Sequence, residues 1–345
     1  MVRMRMFLTL VALIVVTTPS LYADWSPELA ARYLDARQKE WFSWKPAASA
    51  DGPCVSCHTG MTYLLARPAL RRALKESEPT MYERGLLDRL RANVGAKPAG
   101  ALQGVETIFS ALFLSREDAR NTMSAHTQKA LDQLWTLQSA EGPTKGAWRW
   151  YAANLDPWEN PESGYYGASL AALALGHTPA EYRDRANVRE SVASLTTYLA
   201  NPPAPPRLHD RLALLWASST LPTVLSVAAQ RALVAETFAK QQADGGWTLE
   251  SLGPWITHTD PPPAAGSNAY ATAFATFALH RSGVAPSHAG LARAFAWLQS
   301  HQDPKTGAWP AVSMNKRYPA SSMESLFMQD AATAFAALAL IEAGR

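Results

Sequence analysis

The 345-residue chain contains only two cysteines, and both lie within one stretch of five residues. This scarcity excludes a disulfide-based fold, because such a framework needs several pairs spread along the chain. Charge is nearly balanced, with 32 Lys and Arg against 29 Asp and Glu, and no basic run is dense enough to predict a nucleic-acid partner. Alternating strand patterns are also absent. We therefore expect an all-α protein with a conventional apolar core.

The N-terminus has the pattern of a secretory leader. Arg3 and Arg5 precede an apolar run, and a polar stretch then leads to the small residue Ala23. The run is too short to cross a bilayer. We predict that residues 1–23 are removed as a signal peptide, that the mature chain has no membrane-spanning segment, and that it is periplasmic or secreted. An uncleaved anchor is the alternative, because Leu21 is unusual three residues before a cleavage site.

A short pattern of Gln, then Gly, then Trp recurs between helical segments. Its clearest copy is Gln241, Gly245 and Trp247. We assign further copies to Gln138, Gly146 and Trp148, to Gln299, Gly307 and Trp309, and, in degenerate form, to the segment from Trp41 to Trp44. The segments 271–275 and 332–336, which follow the last two copies, are identical. Similarity at a period of about 50 residues predicts stacked helical hairpins.

Six hairpins can be traced along the chain. The helices before the tips are amphipathic, whereas those after them, such as residues 170–175, are apolar on nearly every side. This contrast predicts a single α/α toroid with an outer ring, an inner ring and a central cavity. The six units are expected at residues 27–75, 82–116, 128–176, 188–219, 228–283 and 288–344, within one domain of residues 24–345.

The tips resemble the QW motif (Gln-x-x-x-Gly-x-Trp) of the squalene cyclase and prenyltransferase superfamily, over most of the chain after the leader. The resemblance implies an α/α toroid whose cavity holds a hydrophobic, isoprenoid-like molecule. It does not extend to the acidic Asp-x-Asp-Asp motif of the cyclases, since only Asp330 is acidic among residues 329–332. Asp330 is thus a minor catalytic candidate or a helix cap. The zinc ligands of the prenyltransferases lie late in the chain, whereas both cysteines here come early.

Both cysteines belong to the sequence Cys54-Val55-Ser56-Cys57-His58. C-x-x-C-H is the attachment signature of a c-type haem, in which two thiols bind the porphyrin and the histidine binds iron. We predict that Cys54 and Cys57 carry haem c and that His58 is an iron ligand, with the second axial ligand unidentified. The alternatives are a redox disulfide, a structural disulfide and a zinc site.

Aligning the inner helices by their Ala-Leu endings places the C-x-x-C-H motif level with the starts of the other inner helices. The alignment predicts that one mouth of the cavity is ringed by Glu106, Tyr165, Tyr166, Asn268 and Tyr270.

Three functions are compatible with these patterns. The first is an exported haem protein that binds or oxidises an isoprenoid-like ligand. The second is a non-catalytic scaffold for electron transfer to a redox partner protein or for binding, with a terpene cyclase or transferase without haem as a variant. The third is a polysaccharide-active toroid, in which tryptophans stack sugars and Asp156 with Glu159 or Glu162 act as acid and base. In this third case we interpret the aromatic residues mainly as packing of the repeat tip.

Overall fold

The computed structural model describes residues 25–96, 100–118, 122–262 and 266–345. Within these ranges the regular secondary structure is helical, apart from one isolated antiparallel bridge between Leu155 and Glu159. The helices are α1 (Pro27–Ser43), α2 (Gly60–Ala73), α3 (Met81–Ala92), α4 (Gln103–Asp118), α5 (Ala125–Thr136), α6 (Gly164–Gly176), α7 (Ala180–Arg183), α8 (Ala186–Ala200), α9 (Leu208–Ser218), α10 (Val227–Ala239), α11 (Ala269–Arg281), α12 (Ala289–Ser300) and α13 (Phe327–Glu342). The predicted leader, residues 1–23, lies outside the described residues.

Apart from the single turn α7, these helices form six hairpins, which confirms the predicted all-α toroid. The inner ring consists of α2, α4, α6, α9, α11 and α13. Helix α13 packs against α11 and α2, α6 packs against α4 and α9, and α9 packs against α11, while α3 contacts both α2 and α4. The last inner helix therefore lies against the first.

Burial explains the division into two rings. In α6 every residue from Tyr165 to Leu175 is buried, so this helix can only lie between other helices. In α5 the buried residues are Thr127, Ala130, Leu131 and Leu134, which form one stripe at helical spacing. The outer helices thus cover the apolar inner ring with one face and keep the other face in water.

The centre of the ring is filled by aromatic side chains. Phe335 lies 5.0 Å from Phe274 and 5.5 Å from Phe277 between ring centroids, and Trp216 lies 5.0 Å from Phe277. All four side chains are buried. The prediction of a hollow that holds an isoprenoid-like molecule was wrong, because these bulky inward-facing residues occupy the space such a molecule would need.

Each tip tryptophan closes the end of its own outer helix. The indole N–H of Trp148 donates to Leu134 O, that of Trp247 to Thr237 O, and that of Trp309 to Leu298 O, each at 2.8 Å. The last carbonyls of a helix have no partner within the helix, so each indole satisfies one of them while burying its ring.

The tip glutamines join each unit to the next. Gln138 Nε2 donates to Gly146 O and Ser191 O, and Gln241 Nε2 donates to Gly245 O and Gly290 O, at 2.8–3.0 Å. Ser191 belongs to α8 and Gly290 to α12, the outer helices of the following units.

In the last unit this role belongs to Gln302, which bonds Gly307 O and Ser26 O at 2.9 Å. The assignment to Gln299 was wrong, because the joining glutamine always stands two residues after the end of its outer helix, and Gln299 lies inside α12. The degenerate copy at Trp41 was also wrong. Trp41 lies within α1 and donates its indole N–H to Cys54 O at 2.8 Å.

The tip glycines are required where the tips meet the neighbouring helix. Gly146, Gly245 and Gly307 have φ values of +92°, +97° and +81°. A Cβ atom on Gly307 would lie 2.4 Å from the backbone of Leu29 in α1. A side chain would therefore clash as well as strain the backbone. Because Leu29 belongs to the first helix, this last tip closes the ring.

The segment Met323–Glu342, which includes α13, is apolar and long enough by composition to cross a membrane. However, 67% of its most apolar window is buried inside the fold. Its hydropathy is therefore explained by its place in the inner ring.

The ring closure yields a prediction. We expect Gly307→Ala to lower the free energy of unfolding by roughly 2–4 kcal/mol, because the backbone strain of a positive φ adds to the overlap with Leu29. The control is Gly142→Ala, where φ is +74° but no atom lies within 4 Å, so that only the strain of about 1 kcal/mol remains. Urea unfolding measures both variants. Equal losses would contradict the clash.

Candidate active site at the mouth of the toroid

The loop of residues 149–163 crosses one mouth of the ring, and Asp156 anchors it. Asp156 Oδ1 accepts from Arg207 Nη1 at 2.6 Å, and Oδ2 accepts from Ile256 N at 2.7 Å. Its backbone N–H and C=O bond the side-chain amide of Asn315 at 2.8 and 2.7 Å. The carboxylate and backbone of one buried residue thus connect the loop to the start of α9 and to two further loops.

Arg207 and its neighbours form a buried polar cluster beneath this loop. The Arg207 guanidinium also donates to Asp210 Oδ2 at 2.8 Å and to Ser163 Oγ at 2.9 Å. Asp210 Oδ1 lies 2.7 Å from His209 Nδ1, and His209 Nε2 lies 2.7 Å from the Tyr270 hydroxyl. Burial lowers the pKa of His209, and Asp210 opposes that shift. His209, Asp210 and Tyr270 are completely buried, so the cluster supports the mouth and does not face a ligand.

Glu159 belongs to the same loop and, unlike the buried Asp156, keeps its carboxyl partly exposed. A small hairpin holds it, with Glu159 N donating to Leu155 O at 2.8 Å and Leu155 N donating to Glu159 O at 3.0 Å. The side chain lines a cavity of about 90 Å³ together with His58, Trp158, Tyr318, Glu324 and Phe327. Burial raises the pKa of Glu159 to about 7. The carboxyl is therefore largely protonated up to neutral pH, although its side chain keeps 21% exposure.

His58 faces Glu159 across this cavity, with Nε2 4.0 Å from Glu159 Oε1. The imidazole stacks on Phe327 at 3.7 Å between centroids, and its Nδ1 lies 2.9 Å from Thr59 Oγ1. Burial, helped by the charge of Arg37, lowers the pKa of His58 to about 3. His58 is therefore neutral at physiological pH.

A larger cleft of about 690 Å³ lies next to the small cavity. Its walls include Trp255, Trp297, Asn268 and Gln329, and it shares Ser313 with the small cavity. The two spaces therefore meet at one segment of the loop before α13.

The predicted haem site does not fit this geometry. Cys57 belongs to the main core, with 3% exposure, and Cys54 packs against the separate cluster around Trp41. The described space beside His58, about 90 Å³, is far too small for a porphyrin, and Phe327 covers one face of the imidazole. The prediction of haem c on Cys54, Cys57 and His58 was therefore wrong.

The alternatives for the two cysteines, a disulfide or a zinc site, do not fit the structure either. Both thiols are unpaired. Burial raises the pKa of Cys54 to about 11 and that of Cys57 well above its usual value, which disfavours the thiolate needed for metal binding or redox chemistry. Among the described residues no group of three or more His, Cys, Asp or Glu side chains could hold a metal ion, so the zinc alternative lacks ligands.

Asp330 lies inside the fold, as the fourth residue of α13, and is not its cap. Its Oδ1 accepts from the Tyr33 hydroxyl and Arg37 Nε, and its Oδ2 accepts from the Thr59 hydroxyl, each at 2.8 Å. These bonds connect α13 to α1 and to the start of α2. Asp330 lines neither the small cavity nor the cleft.

The residues predicted to ring the mouth are dispersed. Asn268 lines the large cleft and caps α11 by accepting two backbone N–H bonds. Tyr166 and Tyr270 are completely buried, and the Tyr165 hydroxyl donates to Leu199 O at 2.9 Å. Glu106 pairs with Arg89 at 2.9 Å.

The sequence analysis missed Arg207, Asp210, Asn315, Tyr318 and Glu324. The first two stand at the start of α9, where the preceding proline-rich segment hid the alignment of the fourth unit. The other three belong to the irregular segment before α13, which carries no periodic signal.

Comparison with known proteins supports the fold at low sequence identity. No family model matches the chain, and no curated protein matches it. The similar solved structures include the following three. A polysaccharide lyase has a TM-score of 0.56 at 12% identity, covering 92% of this chain and 97% of its own. The GH76A α-1,6-mannanase from Salegentibacter sp. HEL1_6 has a TM-score of 0.55 at 10% identity, covering 92% and 100%. A family 88 glycosyl hydrolase from Bacteroides vulgatus has a TM-score of 0.53 at 9% identity, covering 92% and 99%.

These similarities overturn the resemblance to squalene cyclases. The similar structures are carbohydrate-active enzymes by name, and in this chain the Gln, Gly and Trp tips join successive helical hairpins of the ring. The prediction of a haem-bearing, squalene-cyclase-like protein was therefore wrong. Its variants, a terpene cyclase and a non-catalytic scaffold, are not supported either.

The buried ion pair predicts a large loss of stability on its removal. Arg207→Met leaves the carboxylates of Asp156 and Asp210 buried without a cation, and we expect unfolding to become easier by about 3–5 kcal/mol. The control is Arg211→Met, one turn along α9, whose partly exposed pair with Glu236 should be worth less than about 1 kcal/mol. Similar losses in the two variants, measured by urea unfolding, would refute the assignment.

A second prediction concerns the pH dependence of stability. The folded-state pKa of Glu159, about 7, lies above the usual 4.5, so its protonated form stabilises the fold at low pH and this contribution is lost as pH rises through 7. Relative to Glu159→Gln, the wild type should lose about 1–3 kcal/mol between pH 5 and 8. Thermal unfolding across this range measures the difference. Replacing the exposed Glu162 by Gln should leave the wild-type pH profile unchanged. If wild type and Glu159→Gln lose stability in parallel between pH 5 and 8, the raised pKa of Glu159 is excluded.

Proposed function

We propose that this protein is a carbohydrate-active enzyme that hydrolyses a glycosidic bond, with Glu159 as the proton donor. The observation that carries the proposal is the protonated, partly exposed carboxyl of Glu159 in a cavity that also contains Glu324. Glycoside hydrolysis commonly uses two carboxyl groups, one protonated as the acid and one ionised as the base or nucleophile. Here burial raises the pKa of Glu159, so its carboxyl holds the proton that the acid must donate.

Glu324 is the second carboxylate of the proposed reaction. Tyr318 reports on both groups, because its pKa is raised by burial and then by the charges of Glu324 and Glu159. The two glutamates line the same cavity as this phenol, Glu159 from the hairpin and Glu324 from the short helical turn Met323–Leu326. In this arrangement Glu159 protonates the leaving oxygen, and Glu324 acts on the sugar or on the attacking water.

The adjacent cleft of about 690 Å³ supports a chain-like substrate. Its tryptophans, Trp255 and Trp297, offer apolar surface, and Asn268 and Gln329 offer side-chain amides that can bond hydroxyl groups. A few polar groups in an apolar cleft are typical of ligand sites. Because the cleft meets the small cavity at Ser313, a bound chain can place its scissile bond near Glu159.

The charge of the cavity favours a neutral sugar chain. Three acidic residues line it, Asp156, Glu159 and Glu324, and none of its described lining residues is Lys or Arg. A lyase acting on acidic sugars would need a cation for the uronate group and an accessible base. Tyr270 and His209, which have the chemistry of a base, are buried. Hydrolysis is therefore the better-supported reaction.

The assignment of the acid rests on this chain alone. Replacing two adjacent aspartates inactivates the similar mannanase, but this sequence contains no adjacent pair of aspartates. The leader pattern of residues 1–23 fits the proposal, since an export signal would bring the enzyme to polymers outside the cell.

The test is hydrolysis of neutral polysaccharides, including mannans, glucans and xylans, followed by release of reducing ends. We expect Glu159→Gln to lower kcat by about 10²- to 10⁴-fold and the wild-type rate to decline above about pH 7, where Glu159 ionises. Glu162→Gln should retain full activity, because its side chain is exposed outside the cavity. Full activity in Glu159→Gln, or cleavage of uronate polymers with unsaturated products, would reject the proposal.

A further inference from the structure

A continuous chain of hydrogen bonds runs from the buried ion pair of Asp330 to the small cavity. Arg37 Nε and the Tyr33 hydroxyl both donate to Asp330 Oδ1, and the Thr59 hydroxyl donates to Oδ2. Burial raises the pKa of Asp330, but the charge of Arg37 and the hydrogen bonds from Arg37, Thr59 and Tyr33 oppose that shift. With these partners its carboxylate accepts all three bonds. The single proton of the Thr59 hydroxyl is thus committed to Asp330.

This commitment decides how Thr59 meets His58. Thr59 Oγ1 lies 2.9 Å from His58 Nδ1, and it can only accept there because its own proton is used. His58 Nδ1 must then carry the imidazole proton. The competing partner is the Ser56 hydroxyl, which accepts from Thr59 N and Gly60 N and keeps its own proton to donate to Nδ1. At 3.4 Å, however, it lies 0.5 Å farther from Nδ1 than Thr59 Oγ1 does.

We propose that Thr59 holds His58 as its Nδ1–H tautomer, so that Nε2 presents only a lone pair to Glu159 and favours the protonated carboxyl. His58 is then a positioning residue of the active site and does not react itself. The inference rests on the proposed function for its catalytic meaning. The tautomer itself follows from the hydrogen bonds alone.

The geometry around the pair supports this role. Nε2 is 4.0 Å from Glu159 Oε1, about 1 Å beyond hydrogen-bond length, so a small movement of the exposed carboxyl closes an O–H···N bond. A carboxylate in that place would meet a lone pair and be disfavoured, whereas an Nε2–H tautomer would stabilise it. Phe327 stacked on the ring and Trp41 at its edge prevent reorientation of the imidazole.

Other groups near the pair act in the same cavity and must be distinguished from His58. The titratable or charged groups that face it are Arg37 from α1, Cys54 and Cys57 from the loop before α2, Asp156 from the loop of residues 149–163, Tyr318 and Glu324 from the loop before α13, and Asp330 from α13. Thr59→Val changes one of them directly, because Asp330 loses the hydrogen bond from the Thr59 hydroxyl, whereas Thr59→Ser keeps that bond.

The experiment is ¹⁵N NMR of the imidazole nitrogens in the full mature chain, with His58 assigned by its loss in His58→Gln. The wild type should show Nδ1 protonated and Nε2 bare. In Thr59→Val the tautomer should shift towards Nε2–H, and the pKa of Glu159, followed by ¹³C NMR of its carboxyl, should fall by about one pH unit.

Two control variants make the result decisive. Ser56→Ala should leave both the tautomer and the pKa of Glu159 unchanged, and Thr59→Ser should retain the wild-type tautomer because it keeps the hydroxyl. An Nε2–H tautomer in the wild type would overturn the inference, as would an unchanged tautomer and Glu159 pKa in Thr59→Val. If Thr59→Val does not fold, the wild-type and Thr59→Ser spectra still decide.

The outcomes also separate this inference from the proposed function. An Nδ1–H tautomer in a protein that hydrolyses no polysaccharide would reject the enzyme and leave the tautomer assignment intact. In an active enzyme, Thr59→Val should move the basic limb of the kcat profile to lower pH, whereas a purely structural role of Thr59 would change stability without moving that limb.

Discussion

The contact between the last tip and the first helix is the constraint on which the molecule depends. Gly307 lies directly against Leu29, and Gln302 bonds Ser26, so the sixth hairpin is tied to the first. Near this join the indole N–H of Trp25 donates to Arg345 O at 3.2 Å. The inner helices are mostly buried, and α6 and α13 are apolar on nearly every side, so the ring is stable only when these helices have neighbours on both flanks. Closure supplies the missing neighbour for the first and last units.

A closed ring with a filled centre leaves its mouth as the place for chemistry. The bulky aromatic residues around Phe335 lie beneath the mouth, and the loop that carries Asp156 crosses the mouth. The same loop directs Trp158 and Asp156 inwards and Glu159 towards the cavity. The buried ion pair with Arg207 therefore has an indirect role, because it holds in place the hairpin that presents the partly exposed acid.

The C-x-x-C-H stretch illustrates how a short motif can mislead. Cys54 stands two residues after Gly52, as Trp stands two residues after each tip glycine, and its carbonyl accepts the Trp41 indole N–H. Cys57 is a small apolar residue of the core. His58, the supposed iron ligand, is stacked on Phe327 beside the proposed acid. A motif of this length shows only which residues are neighbours in the sequence. Haem attachment also requires open space beside the histidine, and the packing of α13 leaves too little there.

The sequence by itself determined the ring: period, helix pairs, tip glycines and tip tryptophans could all be read from it, because helical amphipathicity and turn chemistry are local properties. The position of Gln302 could not, since it depends on where α12 ends. Only the tertiary structure decided the site. Glu159, Glu324 and His58 are far apart in the chain and meet because loops of different units fold over one mouth. The raised pKa of Glu159 arises from burial by those loops, and burial is a property of the assembled ring, which no local pattern records.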